Sequence, residues 1–198
     1  MSRTVDREQR RRVIVDAVWR ILDRGGLDEA SVRKVAAEAG LATGSVRHFF
    51  DTQAQLHEFA LRSLSERVGE RVRRAAGEPD PRRRALAMLG ELLPLREDTA
   101  RELGIWLEFV HRSRFAPALA AAVADQALEV RGFLREVVDG LVDLGQLPAD
   151  TDPDRAAAGL NAFVDGLTFE LLTAPALLTR EEAGALLESY LFDRPLGG

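Results

Sequence analysis

The residues with the most informative types and spacing lie between Ser31 and Phe50. This stretch predicts two short helices on either side of Gly40, where a turn with a positive φ angle is required. The second helix buries Val46 and Phe50, and its other side carries small, hydroxyl-bearing and basic side chains: Thr43, Gly44, Ser45, Arg47 and His48. Two short helices that cross around a glycine turn form a helix-turn-helix, whose second helix can enter the major groove of DNA.

The charge of the chain is unevenly distributed. The whole chain has 27 Lys and Arg against 32 Asp and Glu, a net charge of −5, but residues 1–74 carry +4 and residues 75–198 carry −9. Such asymmetry favours a polyanion as the partner of the first segment. Two ordinary solvated surfaces would give the same numbers, so charge alone does not decide between these interpretations.

The elements that position these residues are helices throughout. Apolar residues recur with a helical period along nearly the whole chain, and no window alternates for long enough to predict a strand. We therefore predict an all-α fold of about nine helices: an N-terminal three-helix helix-turn-helix domain and a helical C-terminal domain. The first helix is predicted to end at Gly25-Gly26, and later helices are predicted over 82–95, 98–113, 116–144, 153–172 and 179–191. The predicted divisions are 1–52 for the DNA-binding domain, 53–77 for a connecting helix and 78–198 for a ligand-binding and dimerisation domain.

The helix-turn-helix stretch resembles the TetR family of bacterial transcriptional regulators over residues 10–60. The matching positions are Ser31, Val35-Ala36, Ala39-Gly40-Leu41, Ala42-Thr43-Gly44, His48-Phe49-Phe50, Gln53 and Leu56. Arg47 stands where most members have Tyr, and Gln53 stands where many have Lys. The run from Gly44 to Phe50 with Thr52-Gln53 is similar to the BetI-type subgroup, and the resemblance does not extend to that subgroup's ligand.

The resemblance implies roles in DNA binding for particular residues. Arg47 and His48 would face base edges or flanking phosphates, and Arg can pair bidentately with guanine. Contacts with DNA phosphates are implied for Ser31, Arg33 and Gln53. The recognition helix would add DNA contacts from Thr43, Gly44 and Ser45. Arg10, Arg11 and Arg12 would clamp the DNA backbone. A plain helix cap at Ser31 and a solvated charge run at 10–12 are the alternatives.

The resemblance also implies a homodimer, because each recognition helix reads only a few base pairs and a palindrome needs two-fold symmetry. The expected interface lies on the last two helices, at Leu160, Val164, Leu167, Leu171, Leu187, Tyr190 and Leu191. Gly159 and Gly166 would either allow close helix approach or be merely tolerated.

A small-molecule effector is expected to bind among the helices of residues 82–175 and to release the DNA. The candidate lining residues are Trp106, Phe109, His111, Phe133, Phe163, Asp165 and Phe169, and Glu108 and Glu170 are further polar candidates. An aromatic wall with carboxylates would suit a cationic or amphipathic ligand. Ordinary core packing is the alternative for most of these aromatic residues.

Several other kinds of site are excluded. The chain has no Cys, and its three His residues have no metal-ligand spacing. Asp150, Asp152 and Asp154 resemble the start of a calcium loop, but Arg155 takes the position that requires Gly. No catalytic, metal or cofactor residue is therefore predicted. The start of the chain has no secretory signal and no segment is long enough to span a membrane, so we expect a cytoplasmic protein.

These patterns together predict a transcriptional repressor that binds double-stranded operator DNA as a homodimer. An α-helical enzyme and a helical interaction module without DNA binding are the alternative functions.

Overall fold

A computed structural model describes residues 2–193, with side chains from Gln9 onward. These residues form nine α-helices and no strand, which confirms the predicted all-α class. The helices are α1 (Ser2–Glu29), α2 (Val32–Glu38), α3 (Thr43–Arg47), α4 (Gln53–Ala75), α5 (Pro81–Gly90), α6 (Glu97–Ser113), α7 (Pro117–Asp143), α8 (Pro153–Thr173) and α9 (Arg180–Phe192).

Most helix starts follow from a capping side chain in the sequence. The Asp80 side chain accepts a hydrogen bond from the backbone at the start of α5, and Asp152 does the same at α8, where Pro153 occupies the first turn as predicted. Thr179 and Glu182 cap α9 reciprocally, each side chain accepting from the other's backbone N–H. A cap of this kind stabilises a helix by about 1 kcal/mol.

The predicted end of the first helix at Gly25-Gly26 is confirmed as a break: Gly26 (φ 65°, ψ −163°) is not helical, and a short helical segment follows up to Glu29. Two other helix ends differ from the predicted positions by three or more residues. α5 ends at Gly90 instead of residue 95, because turns follow and Pro94 cannot continue a helix. α3 ends at Arg47 instead of residue 50, and the N–H of Phe50 still donates to the Val46 carbonyl at 3.1 Å.

The chain forms two compact units. The first comprises the residues up to Ser65 together with Ile105–Val123, and the second comprises Glu66–Gly104 and the residues from Ala124 onward. α4, α6 and α7 therefore each contribute residues to both units. The predicted division at residues 52 and 77 remains a prediction.

Each unit has its own buried apolar residues. In the first unit the fully or nearly fully buried side chains include Ile14, Val18, Leu27, Val35, Val46, Leu56, Leu64 and Phe109. In the second unit one cluster joins α5, α7, α8 and α9 and includes Leu89, Leu93, Leu134, Val138, Leu160, Leu187 and Leu191. Burial of each such side chain contributes roughly 1.5–3 kcal/mol.

Candidate nucleic-acid interface

The α2–α3 pair has the geometry of a helix-turn-helix. Ser31 caps α2 by accepting a hydrogen bond from the Lys34 N–H at 3.3 Å. Gly40 has φ 66°, and the N–H of the following Leu41 donates to the Ala36 carbonyl at 2.9 Å, which closes the turn between the helices. Val46 is fully buried and anchors α3. The predicted reason for Gly40, a left-handed backbone conformation, is confirmed.

The outer face of α3 is open to solvent. Thr43, Gly44, Arg47 and His48 are exposed, and Ser45 is half-buried. Phe50, just beyond the helix, is buried and lies 4.8 Å from the Phe59 ring of α4, measured between centroids. α3 therefore has one anchored side and one side that presents hydrogen-bond donors.

Two arginines of α1 bind the carboxylate of Glu38 at the C-terminal end of α2. Arg20 Nε donates to Glu38 Oε1 at 2.7 Å, and Arg24 bonds the other oxygen of the same carboxylate. Hydrogen bonds from Arg24 and, to a smaller extent, from Arg20 hold the pKa of Glu38 below its usual range. Lys34 of α2 is paired with Glu29, so the exposed Arg33 and Arg47 carry the accessible positive charge of the α2–α3 pair.

Gln53 has a structural partner that the sequence did not indicate. Its side-chain amide donates to the Ala30 carbonyl and lies 3.1 Å from His57 Nε2, so it ties the start of α4 to the residue before Ser31. Burial lowers the pKa of His57, partly offset by its interaction with the Ala30 carbonyl. The phosphate contact expected of Gln53 remains a prediction.

Arg11 also contacts the protein itself. Its guanidinium lies 5.8 Å from the centroid of the Phe59 ring, within cation–π range. Arg10, Arg11 and Arg12 are all exposed, as a clamp on the DNA backbone requires.

Most residues expected at the dimer interface are buried within the single chain. Six of the seven are buried in the core of the single chain: Leu160, Val164, Leu167, Leu171, Leu187 and Leu191. The seventh, Tyr190, is half-buried and stacks on Phe163 with 4.2 Å between ring centroids. The apolar stripe of each helix is its core-facing side, and a contact of these residues with a second copy stays a prediction. The large apolar side chains that α8 and α9 leave exposed are Phe169 and Leu186.

The structure divides the residues expected to bind an effector. Trp106, Phe109 and His111 belong to the first unit, where Phe109 is fully buried and lies 6.4 Å from the His57 ring. The other four belong to the second unit: Phe133, Phe163, Asp165 and Phe169. Phe163 faces Tyr190, Asp165 accepts a hydrogen bond from Asn161 at 2.7 Å, and Phe169 is exposed.

Phe133 alone among them lines a described cavity of the second unit. This cavity, of about 270 Å³, lies between α5 and α7. Its charged lining residues are Arg84 and Glu136. The other lining residues are apolar or small: Pro81, Ala85, Met88, Phe133, Val137, Gly140, Leu141 and Leu144.

Glu108 is also placed differently from the sequence-based expectation. Its carboxylate accepts a hydrogen bond from the Leu27 backbone N–H at 2.7 Å, within the first unit. The two residues are 81 positions apart, and no local pattern could have paired them.

The described residues contain neither a metal-ligand cluster nor a membrane-spanning helix. No cluster of three His, Asp or Glu side chains could hold a metal ion. No helix between residues 2 and 193 is long and apolar enough to cross a membrane.

A helix-turn-helix with exposed donors on its second helix, joined to a second helical unit, defines the class of helix-turn-helix transcriptional regulators. Comparison of the sequence with known protein families agrees with this class. Residues 14–58 match the model of bacterial regulatory proteins of the tetR family, and residues 81–194 match the model of the C-terminal part of BetI-type transcriptional repressors. The chain belongs to the TetR family, with a C-terminal part of BetI type, and it is a DNA-binding regulator and not an enzyme.

Individual relatives extend over nearly the whole chain. The HTH-type transcriptional regulator PksA of Bacillus subtilis is 32% identical over 192 residues, which cover 96% of this chain and 92% of PksA. A crystal structure of a transcriptional regulator from Rhodococcus sp. RHA1 is 32% identical, with a TM-score of 0.74 over 91% of this chain and 92% of that one. The multidrug binding protein EbrR, solved in complex with ethidium, is 28% identical, with a TM-score of 0.66 over 92% of this chain and 98% of EbrR.

Proposed function

We propose that the protein is a cytoplasmic repressor that binds a palindromic DNA operator as a homodimer and is released by a small molecule. The observation that carries the DNA-binding part is the exposed row of donors on α3, opposite the buried Val46. Arg47 lies at the C-terminal end of this helix, and its fork of N–H donors matches the O6 and N7 acceptors of guanine. We therefore expect a guanine in each half-site.

Operator binding is tested by selecting bound duplexes from a random pool and measuring their affinity by fluorescence anisotropy. A palindrome bound at least about 1,000-fold more tightly than a scrambled duplex supports the proposal. The logarithm of the affinity should fall linearly with the logarithm of the salt concentration, because each phosphate contact releases counterions. Equal affinity for the selected and scrambled duplexes would contradict it.

The homodimer is proposed to form through the outer faces of α8 and α9. Phe169 and Leu186 expose 59% and 45% of their surfaces, whereas six other large apolar side chains of these helices are buried. Gly166 on the same exposed side of α8 has open space around it, so another helix can approach closely there. Leu177, in the segment between the two helices, is 76% exposed and adds to this apolar surface.

The effector site is proposed to be the cavity between α5 and α7. Phe133 and Met88 give it apolar walls, and the Glu136 carboxylate offers a counterion for a cation at its edge. Its volume is near the lower limit for small-molecule sites, so a flat or chain-like cation fits better than a bulky one. EbrR, the relative solved with ethidium, supports a ligand of this chemical class.

Binding is tested with two probes, ethidium and a long-chain quaternary ammonium. Ethidium binds DNA by itself, so its affinity is measured by calorimetry on the protein alone, and DNA release is measured only with the ammonium probe. Phe133→Ala and Glu136→Gln should each weaken binding at least about fivefold. Leu128→Ala, at an exposed apolar residue of α7 that does not line the cavity, is the matched control. Unchanged affinity in both cavity variants would place the site elsewhere.

A further inference from the structure

The backbone adopts an unusual conformation at Gly26, where the short segment that leads to α2 begins. Gly26 has φ 65° and ψ −163°, backbone angles that interrupt α1 and that residues other than glycine rarely adopt. The next residue, Leu27, is fully buried, so its position is fixed by packing. This segment leads through Ala30 directly into Ser31, the cap of α2.

The C-terminal half of α6 supplies the partners of this segment. Glu108 Oε2 accepts a hydrogen bond from the Leu27 N–H at 2.7 Å, and one helical turn later Arg112 forms an ion pair with Asp28. A carboxylate that accepts from a backbone N–H makes a charge-assisted hydrogen bond, which is about twice as strong as a neutral one. Both contacts lie within the first unit.

The packing between Gly26 and Glu108 leaves no free space. A methyl group on Gly26 would lie 2.6 Å from Glu108 Oε1 and 2.8 Å from Oε2. The carboxylate therefore rests against the bare backbone of Gly26 while it bonds the N–H of the next residue. Such a close approach holds the backbone of Gly26 and Leu27 against α6.

The N-terminal half of α6 is held by contacts of the same kind in the second unit. Glu102 is 4% exposed at its side chain, and its two oxygens lie 2.8 Å from Arg67 Nε and 2.7 Å from Arg71 Nη2, both on α4. α6 is one continuous helix from Glu97 to Ser113. A carboxylate of this helix thus takes part in the internal contacts of each unit.

We propose that Glu108 is a positioning residue that fixes the orientation of the helix-turn-helix relative to α6, and thereby the spacing of the two recognition helices in the dimer. This inference rests on the proposed function, because spacing has meaning only for two copies on one operator. Two recognition helices must lie about one turn of DNA apart, roughly 34–36 Å, to reach both half-sites. Loss of the Glu108 contact frees the orientation and leaves the reading surface of α3 intact.

The test is a series of duplexes with the same two half-sites at the preferred separation and at separations one base pair shorter and longer. In Glu108→Ala, the preference for the best separation should fall about tenfold, as expected for loss of a hydrogen bond to a charged group. Affinity for a duplex with one half-site should stay within twofold of that of the unchanged protein. Glu108→Gln keeps an acceptor oxygen and should restore most of the preference. Asp125→Ala, at an exposed carboxylate of α7, is the control.

Hydrogen exchange at the Leu27 amide shows directly whether the contact has been broken. Faster exchange in Glu108→Ala with an unchanged preference for separation would overturn the proposal. Loss of single-half-site binding would also overturn it, because Glu108 would then support the fold of the helix-turn-helix itself. If Glu108→Ala does not fold, Asp28→Ala removes the second contact at an exposed residue and should lower the preference in the same direction. If the unchanged protein binds no palindrome, the proposed function fails before this inference is reached.

Discussion

Arg71 of α4 and Glu102 of α6 form an ion pair of 2.7 Å in which both side chains are almost fully buried, with 12% and 4% of their surfaces exposed. Arg71 also donates to Glu91 at 2.8 Å, and Glu91 in turn accepts from Arg96 at 2.7 Å. Burial by itself raises the pKa of Glu91, but the hydrogen bonds from Arg96 and Arg71 outweigh it and lower that pKa. Arg71 thus joins two carboxylates of the second unit.

Arg71→Met should therefore lower the free energy of unfolding by about 3 kcal/mol or more, because it leaves buried carboxylates with fewer positive partners. Arg96→Met, at a side chain that is 45% exposed, is the matched control and should cost at most about 1 kcal/mol. Urea denaturation followed by circular dichroism measures both. Equal losses in the two variants would contradict the dominant role of Arg71.

Gly26→Ala and Gly40→Ala form a second matched pair, because the two glycines have φ angles of 65° and 66°. Both substitutions carry the strain of a positive φ angle, about 1–2 kcal/mol, and Gly26 adds a ψ of −163° that is almost restricted to glycine. Only at Gly26 does the new methyl group also meet a neighbour, since nothing lies within 4 Å at Gly40. We expect Gly26→Ala to be more destabilising by at least about 1 kcal/mol. Adding Glu108→Ala to Gly26→Ala should remove part of that difference, which thermal denaturation can measure.

His57 predicts a pH dependence of stability. Burial lowers its pKa in the folded protein below the ordinary value of 6.5. At high pH the residue is neutral in both states, and as the pH falls below 6.5 the unfolded chain takes up the proton first, so stability decreases from there down to the folded pKa. His57→Gln should flatten the stability profile between pH 6.5 and 5. Urea denaturation at a series of pH values compares the two proteins.

Base readout by Arg47 can be separated from phosphate contact by Arg33. Arg47→Ala should cost about 1–3 kcal/mol on the operator and relax the preference at one position of each half-site. Arg33→Ala should weaken binding to all duplexes alike and reduce the salt slope by about one. Competition with every single-base variant of the operator distinguishes these outcomes. If the sequence preference survives in Arg47→Ala, the assignment of base contact to Arg47 is wrong.

The dimer proposal predicts that a charge on the exposed apolar face of α8 or α9 separates the subunits. Phe169→Glu and Leu186→Glu should shift the protein from dimer to monomer in sedimentation at micromolar concentration, because each would bury an unpaired charge at the interface. Leu128→Glu introduces the same charge at an α7 residue that is 72% exposed, and it should leave the dimer intact. A monomeric unchanged protein would contradict the proposal at once.

The sequence predicts the helices well and the surfaces between them poorly. Asp152, Pro153 and Gly40 act through local backbone geometry, so their roles could be predicted from a few neighbouring residues. An apolar stripe such as that of α8 does not tell whether it faces the chain's own core or a second copy, and the structure shows that it packs in the core. The Glu108 contact with Leu27 joins residues 81 positions apart, and it depends on tertiary packing that no local pattern encodes.

The distribution of tryptophan gives the first unit an optical signal of its own. Both tryptophans of the chain, Trp19 and Trp106, belong to the first unit, and the single tyrosine, Tyr190, belongs to the second. Trp19 is 4% exposed and donates to Ser63 at 2.8 Å, so its emission shifts to longer wavelength when water reaches it. Tryptophan fluorescence therefore follows the unfolding of the DNA-binding unit, whereas circular dichroism follows the helices of both. If the fluorescence and circular dichroism transitions coincide, the two units unfold as one cooperative structure. If they differ, the tryptophan transition shows whether the first unit unfolds before or after the second, without any added label.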